Sequence, residues 1–135
     1  MRRCPITRRI VAGERLPVHA TSSGHVLLGG LPEAELDAFM TLCPFDQLTR
    51  FTITEPNALY AAARQAQAHG YAIASEQLEL GICGVAVPLR DRAGRLVAAV
   101  TTSLNLAKYE LADIGPLFVP RLQALAQQIG NGLAK

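Results

Sequence analysis

Thr21-Ser22-Ser23-Gly24 stands directly ahead of the apolar run Val26-Leu27-Leu28, and no other stretch of the chain is better suited to hold a ligand. Small residues at a helix start leave the first backbone N–H groups uncovered. Those groups, with the positive end of the helix dipole, attract an anion such as a carboxylate. The same residues also suit a plain N-cap, with Thr21 or Ser22 accepting a backbone hydrogen bond. A second pair of hydroxyls, Thr101 and Ser103, lies two residues apart in an apolar run. A strand there turns both to one face and Val100 and Thr102 to the other. Hydroxyls so placed either meet a ligand or are satisfied by neighbouring backbone.

Other reactive side chains are more scattered. Glu76 and Glu79 precede Gly81 in a loop, where they contact a phenolic hydroxyl, order the loop, or simply face water. His25 falls on the helix that follows Thr21, six residues after His19. It is a hydrogen-bonding partner for a ligand or a structural histidine. Arg15 and Arg90 are carboxylate partners or surface cations. Cys83 in a strand reads as a buried small hydrophobe rather than a reactive thiol. No serine sits in a Gly-x-Ser-x-Gly elbow. A histidine three residues after Ser22 on one helix, with no orienting acid, is a poor general base. Binding without chemistry therefore ranks ahead of a small hydrolase, and an oligomerisation module without ligand is the other alternative.

Composition narrows the classes further. The chain has 135 residues, half of them hydrophobic and 18% charged, which fits one well-buried domain. A net charge of +2 is too small to argue for nucleic acid. The basic start, Arg2-Arg3 and Arg8-Arg9, lacks interleaved aromatics. Cys4, Cys43 and Cys83 are odd in number and far apart, so no disulfide framework is expected, and a reducing cytoplasm fits. No Cys-x-x-Cys or clustered His/Cys spacing suggests zinc, and no metal or cofactor is expected. No apolar run reaches membrane-span length, and no secretory h-region follows the basic start.

The elements that must position these residues are legible in outline. A strand is expected over 5–12 and a turn over 13–15. A helix is expected over 22–29, ended by Gly29-Gly30. The next opens at Leu31-Pro32, carries Leu36, Phe39 and Met40 on one face, and stops at Pro44. Thr54-Glu55-Pro56 caps a third, which runs to Gly70. Strands are expected over 71–74, 82–89 and 96–104, the last two forming a hairpin across Arg90-Asp91-Arg92-Ala93-Gly94-Arg95. In that hairpin Val85, Val87 and Leu89 share a face, as do Leu96, Ala98 and Val100. Residues 105–115 read as a loop. A final helix begins near 116–120, because proline is tolerated only in the first turn, with a stripe of Phe118, Leu122, Leu125, Ile129 and Leu133. The sum is an α/β (α+β) domain, an antiparallel sheet with flanking helices.

The motifs, taken in order, resemble a known family. Leu-Pro-Val-His-Ala-Thr-Ser-Ser-Gly-His-Val-Leu-Leu at 16–28 is followed by Leu31-Pro32-Glu33. Gly70-Tyr71-Ala72, then Glu76-Gln77-Leu78-Glu79-Leu80-Gly81, come next. Val85-Ala86-Val87-Pro88-Leu89-Arg90-Asp91 and Gly94-Arg95-Leu96-Val97-Ala98-Ala99 complete the series. From about Gly13 to Leu133 the chain resembles the C-terminal effector-binding domain of IclR-type bacterial transcriptional regulators. Its Thr-Ser-Ser-Gly and Gln-Leu-Glu-Leu-Gly forms are most similar to members that sense aromatic acids such as protocatechuate or 4-hydroxybenzoate.

The resemblance implies a profilin-like fold, related to GAF and PAS sensor domains, and a small organic acid as effector. Its site falls on Thr21, Ser22, Ser23 and Gly24 at the helix start and on Ala74, Gly84, Thr101 and Ser103 on the strands. Some members carry an acid and a cysteine where Ala74 and Gly84 stand. Their loss disfavours a small keto acid and leaves room for an aromatic ring. The resemblance also implies a homodimer or homotetramer in the cytoplasm. It makes residues 1–135 one effector domain without the family's winged helix-turn-helix and first two strands. DNA would be contacted only through that absent domain, and an open sheet edge would invite pairing with another chain.

Overall fold

Thr21 opens the element that matters most for the site. The structure, a computed structural model, describes residues 11–133. A one-turn 3-10 helix, Val18–Ala20, leads into α1, Ser22–Gly29. The Thr21 hydroxyl caps α1 by accepting from Gly24 N at 3.2 Å, and it donates to Pro17 O at 2.9 Å. α2, Glu33–Leu42, follows Pro32 and carries Glu33 and Glu35 in its first turn, where they favour the dipole. α3, Pro56–His69, starts on its proline and ends at Gly70, whose φ of +79° suits glycine. The expected strand over 5–12 lies outside the described residues except for Val11 and Ala12, which are not in a strand.

The sheet has three antiparallel strands in the order β1 (Ala72–Ser75), β2 (Ile82–Arg90) and β3 (Leu96–Asn105). Asp91 accepts from Ala93 N at 2.9 Å and Arg95 N at 3.0 Å, and this closes the β2–β3 turn. β2 alternates. Cys83, Val85 and Val87 pack with Leu104 against one layer, while Ala86 joins Val26, Ala66 and Ala72 in the other. A register shift between Leu89 and Arg90 breaks the alternation expected of β3. Leu96 therefore lays its side chain against Gly30 beyond α1 instead of siding with Val100, which packs in the opposite layer. Among the described residues β3 is an edge strand, paired with β2 alone.

α4, Leu111–Gly132, forms the first of these layers and corrects the reading of the C-terminus. It begins before the expected 116–120 and holds Pro116 and Pro120 inside it, so residues 111–115 are helix, not loop. A proline inside a helix costs about 3 kcal/mol. Ile114, fully buried in the core two residues before Pro116, offsets that cost. The buried stripe is also rotated. Leu122 faces inward as expected, but Leu125 and Ile129 are exposed, and Val119, Ala126 and Gly130 face the sheet. Gly130 abuts the Arg90 carbonyl, an approach that a larger residue would prevent. The second layer is α1 with α3, beyond which Leu28, Leu36, Leu59 and Ala63 tie α2 to them. Among the described residues no helix is long and apolar enough to cross a membrane.

Candidate ligand site

The start of α1 lies over the α1-facing side of the sheet, where a cavity of about 70 Å³ opens between them. Seven of the eight expected positions line it: Thr21, Ser22, Ser23, Ala74, Gly84, Thr101 and Ser103. Strand register explains the gathering, since Ala74 pairs with Gly84 and Gly84 with Ser103. Gly24 does not line the cavity. It sits against the Val18 backbone, where any side chain would collide, so its role is to let α1 close on the preceding turn. Leu16, Ala20, Leu78 and Ile82 complete the wall, and residue types alone did not single them out. Leu16 and Ala20 flank the hydroxyl motif and were the more findable. Leu78 hides in a loop whose acids drew attention instead.

Of the five hydroxyls in the wall, four do distinct work. Thr21 is the cap, engaged as both donor and acceptor. Thr101 donates to Val85 O at 2.9 Å, so it can offer a ligand only acceptor capacity. Ser103 is exposed at the rim. Ser22 is only 3% exposed, and its hydroxyl has no hydrogen-bond partner among the described residues. Beside it, the backbone N–H groups of Ser22 and Ser23 lie ahead of the first bonded turn of α1 and find no acceptor among the described residues. Three donors thus belong to residues in the wall of a mostly apolar hollow. Among the described residues no lysine or arginine lines it.

The remaining candidates lie elsewhere. Arg15 is exposed. Arg90 donates to Gly94 O at 3.1 Å and borders a separate recess with Gln123 and Asn131. Glu76 orders its own loop, its carboxylate accepting from Gly81 N at 2.9 Å. Glu79 does not reach the cavity wall. His25, 2% exposed, donates to His19 O at 2.9 Å, and His19 in turn donates to Asp46 O at 2.8 Å. Both are structural histidines that brace the turn before α1. Burial holds His25 below the usual histidine range, against the opposing pull of that carbonyl. The buried Cys83 faces the α4 layer. Burial first, and then the negative charge of Glu76, push its thiol up to about 11. It is protonated and inert at neutral pH. No group of metal ligands occurs among the described residues.

Ala74 and Gly84 do not leave the roomy gap their small size implies. The Ser22 hydroxyl takes up the space beside Gly84, and Leu78 is a further part of the wall. At about 70 Å³ the hollow is well below the roughly 300 Å³ at which ordinary ligand sites begin.

Comparison with known proteins places this geometry. The family model described as bacterial transcriptional regulator IclR C-terminal matches residues 4–131. The HTH-type transcriptional regulator XynR of Escherichia coli is 38% identical over 123 residues, covering 91% of this chain and 47% of its own. Two solved structures share the fold and a ligand theme. One is a double mutant of the Acinetobacter PobR inducer-binding domain with 3-hydroxybenzoic acid. It has a TM-score of 0.86 at 26% identity and covers 97% of this chain and 78% of its own. The other is an IclR homologue from Microbacterium hydrocarbonoxydans with 4-hydroxybenzoate. It has a TM-score of 0.79 at 28% identity and covers 92% and 49%. The chain spans about half the length, or less, of the curated relatives it matches first.

Proposed function

The chain belongs to the IclR C-terminal family of bacterial transcriptional regulators, and from that premise we propose that it is an effector sensor that binds a small organic monocarboxylate reversibly. The observation that carries this reading is the buried, unpartnered Ser22 hydroxyl beside the free amides of α1. A carboxylate seated there takes hydrogen bonds from Ser22 Oγ and from the Ser22 and Ser23 N–H groups, favoured by the helix dipole. Its apolar body lies against Ala74, Leu78 and Ile82, and a distal hydroxyl reaches Ser103. With no cation in the wall among the described residues, a second carboxylate would be desolvated without a partner there. The hydroxybenzoates held by the two similar structures support aromatic acids as a ligand class beside small aliphatic ones, taken where the wall of the hollow gives way. Thr21, Ser22, Ser23, Ala74, Gly84, Thr101 and Ser103 are the proposed contacts, with Gly24 in support.

The site holds no nucleophile paired with a base, so the ligand leaves unchanged. We place the protein in the cytoplasm as a homodimer or homotetramer, with DNA contact made by a winged helix-turn-helix outside this chain. A ligand that favours one subunit arrangement would pass its signal on by differential affinity. Thermal melting with benzoate, 3- and 4-hydroxybenzoate, protocatechuate and propionate, each against its uncharged amide, tests the reading. Acids should raise the midpoint with concentration while amides leave it unmoved. No shift with any acid would favour an oligomerisation module, and turnover of aryl esters would favour a hydrolase.

A further inference from the structure

Leu78 reaches the cavity from the loop between β1 and β2, and that loop is gripped from outside. Thr49 Oγ1 donates to Glu76 O at 2.6 Å, and Thr52 Oγ1 donates to Gln77 O at 2.7 Å. These are the two consecutive carbonyls immediately before Leu78. Both hydroxyls are held in turn by their own tight turn. Thr52 accepts from Leu48 N at 3.1 Å and Thr49 N at 2.8 Å, and Thr49 accepts from Phe51 N at 3.0 Å. Thr52 is 7% exposed, so water cannot readily replace it.

The gripped loop is under tension. Glu76 adopts φ +58° without being glycine. The Gln77 side-chain oxygen is buried with no partner among the described residues, a loss that opening the loop to water would relieve. The closed position of Leu78 therefore depends on an external hold. Leu78 is part of the wall of the hollow, which measures about 70 Å³. An aliphatic acid of two or three carbons suits that space, whereas a benzene ring is known to settle in a cavity of about 150 Å³.

We propose that Thr49 and Thr52 are positioning residues that set which size of acid this chain admits, by clasping the 76–81 loop so that Leu78 stays in the cavity wall. The inference rests on the ligand reading above. With the clasp closed the site accepts short aliphatic monocarboxylates. When it yields, Leu78 withdraws, Gln77 gains a partner, and a ring fits.

The test is the ratio of the benzoate to the propionate dissociation constant, measured by calorimetry. Thr52→Val keeps the shape and removes the hydroxyl, and it should shift that ratio about tenfold toward benzoate. Thr52→Ser should restore the original ratio. Leu78→Ala should give the same shift with the clasp intact. Amide hydrogen exchange in residues 76–81 should quicken in Thr52→Val and not in Leu78→Ala. A merely structural threonine would weaken both acids equally and leave the ratio unmoved. If Thr52→Val does not fold, Thr49→Val and Leu78→Ala decide on the same ratio. An unchanged ratio in folded variants of a protein that binds either acid overturns the clasp alone. If the unaltered protein binds neither acid, the carboxylate reading itself falls.

Discussion

Ser22 Oγ fills the space that a side chain at position 84 would occupy, standing 2.9 Å from where the Cβ would be. A helix start and a central strand thus meet through one hydroxyl and one missing methyl group. Gly84→Ala should push that hydroxyl off its position. Titration calorimetry should show affinity for any bound acid down at least about tenfold, with the far-UV spectrum unchanged. Equal affinity in the variant would mean that Ser22 does not hold the ligand.

Ser22 and Thr21 should separate binding from stability. The Ser22 hydroxyl has no partner among the described residues, so Ser22→Ala should leave the urea midpoint unchanged or slightly raised while weakening acid binding. Thr21→Ala removes the α1 cap and should cost about 1 kcal/mol of stability. A Ser22→Ala protein as destabilised as Thr21→Ala would place Ser22 in the fold rather than in the site.

His25 makes stability depend on pH in a defined direction. Its folded-state pKa lies below the ordinary 6.5, chiefly through burial, so the unfolded chain takes up the proton first. The contribution is complete above 6.5 and is lost as pH falls below it toward the folded value. Asp91 is also depressed, mainly by its hydrogen bond from the Arg95 backbone, but its loss begins only as pH falls below 3.8. Urea midpoints measured between about pH 5 and 7 should rise with pH, and His25→Gln should flatten that slope.

Two glycines at the end of α4 should respond in opposite ways. A methyl group at Gly130 would run into the Arg90 carbonyl, whereas one at Gly132 meets nothing. Gly130→Ala should destabilise by about 1–3 kcal/mol, and Gly132→Ala should be neutral or slightly stabilising. Chemical denaturation of the two variants in parallel checks the pair. Equal midpoints would contradict the close packing of α4 on β2.

Much of the scaffold was legible because its signals are local. Small hydroxyls before an apolar run and Gly29-Gly30 after it bound α1 at the residues the structure shows, since a cap acts within one turn, although Gly30 keeps a right-handed φ of −90° and is no left-handed stop. A polar turn with glycine between two β-branched runs sufficed for the β2–β3 hairpin. Side-chain alternation on those strands put Thr101 and Ser103 on one face, and resemblance to a family suggested which helix start they would oppose.

What the chain could not disclose by itself depends on partners distant in sequence. The local penalty of Pro116 and Pro120 argued for a late start to α4, but Ile114 finds a core built from β2 and β3, and that contact outweighs the penalty. Size favoured Leu125 and Ile129 as the buried face, yet close approach to a strand carbonyl selects Ala126 and Gly130 instead. Cavity width depended on the Ser22 hydroxyl leaning into Gly84 and on Leu78 held by threonines some 25 residues earlier in the chain. Residue types and their spacing determine the elements and which side chains share a face. Only packing across the sheet decides which small residues leave a space and which are filled by a neighbour, because volume is shared among atoms that meet only after folding.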